Sequence, residues 1–351
     1  MERFYLLDIA RGIAAIAVAI FHYKLFYAYN LSSEIFVPEN QPFYSYIKLI
    51  YEYGWIAVQF FFLLSGFIFF KLYLKKIQEK SLSFYNFLVL RISRLYPLHF
   101  ITLIFVLIIY LILKSNNFTN PIRADLEHFF YNLLLIHEWG LNSYASFNEP
   151  SWSISIEFLM YIIFFYLALK TNIIFYSFLI ISISSILFFK FKYLGYGGYC
   201  FFIGGLSCIL LENSKISQKN KTLILCILIF FSGIISFYFI DNSKLDKIII
   251  LTIFFPSLIN IFYLINNYSP KFGKKFSFIG DISYSIYLIH FPLILVTLII
   301  LNILDLKINF NSMTIFCTYL VLTLLVSFIS YNFLEIPLKK ILRKKYIKNG
   351  K

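Results

Sequence analysis

Long apolar runs alternate with short polar loops along the whole chain. Crossing a hydrocarbon core of about 30 Å takes about 20 apolar residues in a helix. Ten runs of suitable length are predicted as membrane spans, near residues 6–28, 52–74, 84–113, 150–170, 173–190, 196–212, 222–240, 247–266, 279–301 and 314–337. We therefore predict an all-α polytopic membrane protein in which residues 1–340 form the membrane domain and residues 341–351 a basic tail.

Composition and charge distribution support this interpretation and orient the spans. Hydrophobic residues make up 60% of the chain and charged residues only 14%, against about 25% in soluble domains. The net charge of +14 is spread over alternate short loops and the tail, which is the positive-inside pattern and places both termini in the cytoplasm. We expect a lipid bilayer around the chain and no nucleic-acid partner. The four cysteines lack metal-ligand spacing, so no metal site is expected.

The first apolar run contains two ionisable residues, Arg11 and His22. Eleven steps of about 100° bring both onto one face of an α-helix, roughly 16 Å apart along its axis. Ionisable groups inside a spanning helix are costly and mark a functional site by default. The pair would offer a guanidinium near one surface and a titratable imidazole deeper in the membrane. The alternative is that Arg11 snorkels to the interface and His22 only packs.

A second basic feature lies in the third span, where Arg91 and Arg94 are three residues apart and share a helix face. Neighbouring guanidinium groups repel each other unless an anion lies between them, and arginine binds phosphate in a bidentate manner. By the predicted topology this pair and Arg11 lie near the cytoplasmic surface. The sequence thus predicts a site for a phosphorylated cytosolic ligand, unless the pair only anchors the span.

The fourth span begins with polar residues and carries a carboxylate. Ser151, Trp152 and Ser153 are predicted near the outer surface, and Glu157 about two turns into the membrane. Tyr161 follows Glu157 at i+4, so the two side chains can share a hydrogen bond. An intramembrane carboxylate needs a partner or a proton, which makes Glu157 a catalytic candidate. The alternative is an interfacial glutamate paired with a nearby cation.

Polar residues also interrupt three other spans. His290 is predicted roughly 15 Å into the ninth span, where it could pack or bind substrate. Asp281 is predicted to cap the start of that span, and Glu335 to be a pairing residue either at the helix terminus or between helices. Ser65 and Gly66 in the second span, like the glycines around the sixth, are predicted to mark close helix packing.

Five of these segments, in this order, resemble the integral-membrane acyltransferase family 3, which includes bacterial polysaccharide O-acetylases. They are LDIARGIAAIAVAIFHY, FFLLSGFIFF, RISRLYP, NEPSWSISIEFLMY and GDISYSIYLIHFPL. Together they extend over nearly the whole chain. The Trp-Ser-Leu motif of the family reads Trp-Ser-Ile here, from Trp152 to Ile154, which is a mild departure.

The resemblance implies transfer of an acyl group, most often acetyl, from cytosolic acyl-CoA to a hydroxyl of an envelope polysaccharide or glycolipid. The enzyme would reside in a bacterial inner membrane and act on its outer face. Arg11, Arg91 and Arg94 would bind CoA phosphates, and His22 would be the general base or a transient acyl carrier. Glu157 would orient the histidine, balance its charge or bind the acceptor.

The remaining polar residues receive a substrate-binding role in this interpretation. They are Ser151, Trp152, Ser153, Tyr161 and His290. Two other functions stay open on sequence alone. One is a transporter or flippase of an anionic glycolipid, in which the arginines bind lipid phosphates and no acyl transfer occurs. The other is a non-catalytic scaffold of envelope assembly.

Overall fold

The computed structural model describes residues 3–29, 35–115, 123–141, 146–238 and 244–347. All regular secondary structure in these ranges is helical, which confirms the all-α prediction. The end of the seventh predicted span, residues 239–240, and the last four residues of the predicted basic tail lie outside the described residues.

Sixteen α-helices occur in the described ranges. The first eight are α1 (Tyr5–Phe21), α2 (Leu25–Tyr29), α3 (Tyr44–Tyr53), α4 (Ile56–Gln78), α5 (Phe84–Ser115), α6 (Leu126–Leu133), α7 (Trp152–Ala168) and α8 (Ile173–Leu187). The other eight are α9 (Lys192–Asn213), α10 (Gln218–Tyr238), α11 (Lys244–Ile249), α12 (Phe255–Tyr268), α13 (Phe278–Asp281), α14 (Ser283–Ile303), α15 (Met313–Ser330) and α16 (Ile336–Tyr346).

Each predicted span corresponds to one of these helices or to two helices joined by a short turn. Within the described ranges, nine helical segments are long and apolar enough to cross a membrane. The fifth predicted span, 173–190, corresponds to α8, an apolar helix of 15 residues. At about 1.5 Å per residue it is about 22 Å long, shorter than a typical hydrocarbon core. The polytopic membrane architecture predicted from hydropathy is thus confirmed.

Three spans contain turns that a regular α-helical pattern does not predict. Residues His22–Lys24 form a 3₁₀ turn between α1 and α2. Residues Ile250–Phe254 and Tyr331–Glu335 form π-helical turns, which join α11 to α12 and α15 to α16. Such turns change which face of a helix the following residues occupy, and they occur frequently at functional sites.

One predicted helix cap is wrong. Asp281 ends the short helix α13, and the position before α14 is occupied by Ile282, whose side chain makes no capping hydrogen bond. The polypeptide bends at Ile282, so the carboxylate belongs to the end of α13 and not to the first turn of α14.

The chain divides into two compact units. The first consists of residues 1–12, 58–84 and 156–280. Its helices α4 and α9 touch backbone to backbone, because a Cβ atom at Gly66 or Gly204 would meet the carbonyl oxygen of Phe201 or Leu63. This confirms the packing role predicted for Gly66 and for the glycines of the sixth span.

The second unit consists of residues 13–57, 85–155 and 281–351. Its apolar core includes an aromatic group in which Tyr23, Phe26 and Phe310 are almost fully buried. Polar side chains lie at intervals along α14 in the same unit, and each bonds a different neighbouring segment. These bonds position the candidate site described next.

Candidate functional site

The imidazole rings of His22 and His290 face each other inside the second unit. Nδ1 of His22 lies 2.9 Å from Nε2 of His290. The two rings are parallel to within 4°, with centroids 5.0 Å apart. His290 is fully buried and His22 is partly exposed. The structure thus brings together two histidines that the sequence placed 268 positions apart.

The hydrogen bonds around this pair determine where its protons lie. Nδ1 of His290 is 3.1 Å from the carbonyl oxygen of Ile286, and a carbonyl can only accept. Neutral His290 therefore carries its proton on Nδ1 and uses Nε2 as an acceptor. The bond between the rings must then be donated by Nδ1 of His22. This tautomer leaves the lone pair of neutral His22 on Nε2, the atom that can act as a base.

The start of α7 is bonded to α14, the helix that carries His290. The hydroxyl of Tyr287 donates to the carbonyl oxygen of Pro150 at 2.6 Å, which uses its only proton. The hydroxyl of Ser153, 2.7 Å away, therefore donates to the Tyr287 oxygen. The Asn148 amide also donates to the carbonyl oxygen of Leu288 at 3.0 Å. These bonds fix the 148–153 segment beside the histidine helix.

Ser151 and Trp152, two of the predicted substrate-binding residues, lie where a 3₁₀ turn leads into α7. The hydroxyl of Ser151 is buried and lies 3.2 Å from Nε2 of His137. Burial lowers the pKa of His137 to about 3, so this ring is neutral at physiological pH. Trp152 is partly exposed at the first position of α7. Ser151 and Ser153 thus bond protein groups, and substrate binding by any of the three stays a prediction.

Basic side chains gather around the arginine pair of α5. Arg91 is 5% exposed and Arg94 is partly exposed. Arg343 of α16 donates to the hydroxyl of Ser93 at 3.1 Å and to the carbonyl oxygen of Leu90 at 3.3 Å, which positions it against the same helix. Lys339, one turn earlier, interacts electrostatically with both Arg94 and Arg343.

Two carboxylates moderate this basic group. Asp281 and Glu335 oppose the repulsion that Lys339 receives from the arginines. Glu335 is buried and accepts a hydrogen bond from Ser285 of α14 at 3.0 Å, which confirms its predicted pairing with another helix. Four cations and two carboxylates leave a positive balance, the charge that phosphate groups require.

Arg11 belongs to the first unit and is partly buried. Its Nη2 donates to the carboxylate of Asp8 at 3.0 Å and to the carbonyl oxygen of Gly280 at 2.8 Å. The neighbouring turn is packed tightly, because a Cβ at Gly280 would meet the backbone of Asp8 and one at Gly12 would meet Ile279. The guanidinium is therefore oriented by protein groups.

Glu157 also belongs to the first unit. Its Oε1 accepts hydrogen bonds from the hydroxyls of Ser65 and Tyr161, each at 2.5 Å. The bond to Tyr161 at i+4 is the one predicted from the sequence, which this contact confirms. Ser65 has a second role besides the predicted packing at Gly66, because it helps to hold the carboxylate. Tyr161 is buried and bonded to Glu157, so its predicted contact with substrate is not tested.

Sequence reasoning missed three features of the site. The pairing of His22 with His290 joins residues that no local spacing relates. Lys339 and Arg343 lie in the basic C-terminal stretch, which the sequence analysis used only for topology, although their i, i+4 spacing places both on one face of α16. The role of Asn148 gave no signal beyond its position near the polar start of the fourth span.

Comparison with known proteins identifies relatives of this chain. Residues 4–332 match the family model described as "Acyltransferase domain". The chain is 34% identical over 113 residues to "Acyltransferase MdmB" of Streptomyces mycarofaciens, which covers 32% of this chain and 27% of the relative. It is 33% identical over 102 residues to "Protein 2 in picA locus" of Rhizobium radiobacter, which covers 29% and 43%. These matches span less than half of either relative, and no solved structure matches significantly.

Proposed function

Because this chain belongs to the integral-membrane acyltransferase family, whose model matches residues 4–332, we propose that it transfers an acyl group from acyl-CoA to a hydroxyl of an envelope glycan. Acetyl is the expected group, and a polysaccharide or glycolipid at the outer face of a bacterial inner membrane is the expected acceptor. The observation that supports this most directly is the His22–His290 pair within membrane helices, whose tautomers leave Nε2 of His22 available as a base.

The chemistry at this pair follows general acid–base catalysis. Nε2 of His22 takes the proton of the acceptor hydroxyl while its oxygen attacks the thioester carbonyl. The C–S bond then breaks, and the CoA thiolate leaves with the proton returned by the imidazolium. His290 stabilises that imidazolium, because its Nε2 accepts the Nδ1 proton throughout. In our proposal, His290 is thus a positioning residue for His22. This role replaces the substrate contact that the sequence predicted for His290.

The basic group of the second unit is the proposed site for donor phosphates. Arg91 and Arg94 were predicted for this role, and we add Arg343, whose guanidinium is anchored on Ser93. Anchored guanidinium groups lose less side-chain entropy when a phosphate binds, so they bind it more tightly than mobile lysines do. Arg11 keeps its predicted role at the phosphates of the donor.

Glu157 keeps two of the three roles predicted for it. His290 already accepts the proton of His22 Nδ1, so orientation of that ring does not require a carboxylate. Charge balance for the imidazolium and binding of the acceptor hydroxyls remain. Ser65 and Tyr161 hold the Glu157 carboxyl group in one orientation, which either role needs.

The test compares the wild type with His22→Ala, both purified in lipid nanodiscs. The readout is release of CoA thiol from acetyl-CoA in the presence of envelope glycan isolated from a deletion strain. We expect His22→Ala to lower kcat by about 10²–10⁴-fold, the usual contribution of a general base. His128→Gln is the matched control, because that histidine bonds Asp125 and not a second histidine, and we expect it to retain activity.

Mass spectrometry of the surface glycan separates the proposal from the transporter alternative. Loss of acetyl groups in the deletion strain, restored by the wild type and not by His22→Ala, supports acyl transfer. Acetylated glycan that accumulates inside the deletion strain supports a flippase and contradicts our proposal. Wild-type kcat in a folded His22→Ala protein would remove this residue from the mechanism.

A further inference from the structure

The first unit contains a cavity that the histidine pair and the arginines of α5 do not use. Its volume is about 560 Å³, within the range of about 300–1,000 Å³ that small-ligand sites occupy. It is lined by Arg3, two residues before α1, by the first residue of α1, the second half of α4, the end of α12 and Pro270 beyond it. The side chains that matter here are Arg3, Tyr5, Lys71, Tyr263, Asn266 and Asn267.

The walls of this cavity are held together by specific bonds. Oδ1 of Asn266 accepts from the backbone N–H of Tyr5 at 2.8 Å, and Asn266 itself is buried. The ring of Phe4 packs edge-on against Tyr263, with centroids 5.3 Å apart. These contacts fix the start of α1 against the end of α12. The cavity is therefore a built feature of this unit and not a gap between loose surface side chains.

The charges around the cavity favour an anion. Asp8 bonds both Arg3, at 2.9 Å, and Arg11, at 3.0 Å. Lys71 pairs with Glu212 at 2.8 Å. The cavity lining itself includes the two cations Arg3 and Lys71 and, among the described residues, no carboxylate, because Asp8 and Glu212 bind these cations from outside the lining. Asp8 also connects the cavity to Arg11, the arginine that sequence analysis singled out for phosphate binding.

The uncharged lining suits a nucleobase. Tyr5 offers a partly exposed aromatic ring, on which bases stack irrespective of their identity, whereas Tyr263 lines the cavity but is buried against Phe4 and Lys71. The Asn267 amide is exposed at the cavity and donates one hydrogen bond to Tyr263. Its second N–H and its oxygen offer a donor and an acceptor, the pair that matches the N6 and N7 edge of adenine. A phospholipid headgroup would use the cations and leave these groups without a role. Cations, aromatic rings and an amide around one cavity fit an adenosine phosphate.

We propose that this cavity binds the 3′-phosphoadenosine end of the acyl-CoA donor. The inference rests on the proposed function, which supplies acyl-CoA as the donor. Lys71 and Arg3 bind the 3′-phosphate, and Tyr5 and Asn267 bind the base. The cavity would thus hold the donor by its nucleotide.

Binding of adenosine 3′,5′-bisphosphate to the purified full-length protein in detergent tests the proposal. We expect measurable binding to the wild type and about tenfold weaker binding to Lys71→Gln, because a hydrogen bond to a charged group is worth about that factor or more. Lys71→Arg should bind like the wild type. Lys75→Gln is the matched control, since Lys75 lies on the same helix, pairs only with exposed Glu79 and should not change affinity.

A second ligand and a second variant keep the proposal falsifiable. Asn267→Leu removes the base contact from an exposed position and should weaken bisphosphate binding without changing the thermal midpoint. The phosphate of sn-glycerol 3-phosphate mimics a lipid headgroup and should bind much more weakly. Equal binding of this compound would overturn the nucleotide assignment in favour of a lipid phosphate, and unchanged affinity in folded Lys71→Gln and Asn267→Leu would overturn the site.

Kinetics distinguish failure of the cavity from failure of the proposed function. In Lys71→Gln the KM for acetyl-CoA should rise about tenfold with kcat little changed, the result of lost uniform binding. The KM for S-acetylpantetheine, which lacks the nucleotide, should not change. Normal KM values together with His22-dependent transfer would refute the cavity alone. Bisphosphate binding without any acyl transfer from acetyl-CoA would refute the proposed function and with it the assignment to a CoA donor.

Discussion

Replacing His290 by phenylalanine tests whether this residue positions His22. Phenylalanine keeps an aromatic ring at a fully buried position and removes the Nε2 acceptor, 2.9 Å from His22 Nδ1. A hydrogen bond to a charged partner is worth about 1.5–3 kcal/mol, and the imidazolium formed during transfer would lose it. At about 1.36 kcal/mol per factor of ten, kcat should fall by roughly 10- to 150-fold. The KM values should change little, because the ring does not bind substrate in this mechanism.

The assay is CoA thiol release by the purified protein, followed with acetyl-CoA and isolated glycan between about pH 5.5 and pH 9, a range that includes the pKa of about 6.5 of a free imidazole. His290→Gln should recover part of the lost rate, because its side-chain oxygen can accept the His22 proton. The double variant His22→Ala with His290→Phe should be no slower than His22→Ala alone. Multiplicative losses in the double variant, or wild-type kcat and pH profile in His290→Phe, would refute the positioning role.

Two further predictions concern stability in detergent. Burial raises the pKa of Glu138 to about 7, so the folded protein binds a proton more tightly than the unfolded chain does, and stability should fall as pH rises from about 4.5 to 7. At pH 8, Glu138→Gln should therefore raise the free energy of unfolding by up to about 3 kcal/mol, measured as a higher thermal midpoint. Near pH 4 the midpoint should not change. An equal gain at both pH values would contradict this. Gly66→Ala should lower the free energy of unfolding by about 1–3 kcal/mol, because its methyl group would overlap the carbonyl of Phe201. Gly233→Ala is the control and should be neutral, because its methyl group would lie 3.6 Å from the Phe254 ring. Equal midpoints for the two variants would contradict the packing argument.

Hydropathy predicted the spans well because each depends on residues that are close in the sequence. The mean hydropathy of a window of about 20 residues indicates whether a whole helix can lie in lipid, and it does not depend on tertiary contacts. The boundaries are less accurate for the same reason. The last span was predicted to end near residue 337, yet it continues through a π turn into α16, which ends at Tyr346. Lysine and arginine residues in α16 lower its hydropathy, so the window did not extend over it.

The candidate site was predicted only where its contacts are local. Tyr161 could be assigned to Glu157 because i+4 neighbours meet on any α-helix. The second donor to that carboxylate, Ser65, is 92 positions away and could not be assigned. The contact of Arg343 with α5 could likewise not be predicted, because Arg343 and Ser93 are 250 positions apart in the sequence. Residue type indicated which groups have chemistry to perform, and the packing of helices decided which of them meet.

The 3₁₀ turn at His22 illustrates how local geometry and packing combine at this site. A uniform α-helix from Arg11 to His22 was the basis of the predicted common face. The α-helix instead ends at Phe21, and a 3₁₀ turn rises about 2.0 Å per residue where an α-helix rises about 1.5 Å. Just before the turn, Gly54 packs against Phe21, and a Cβ there would also lie 3.1 Å from the carbonyl oxygen of Ala17. Close packing at a glycine thus fixes the last turn of α1, and the tighter turn that follows orients the His22 ring parallel to His290.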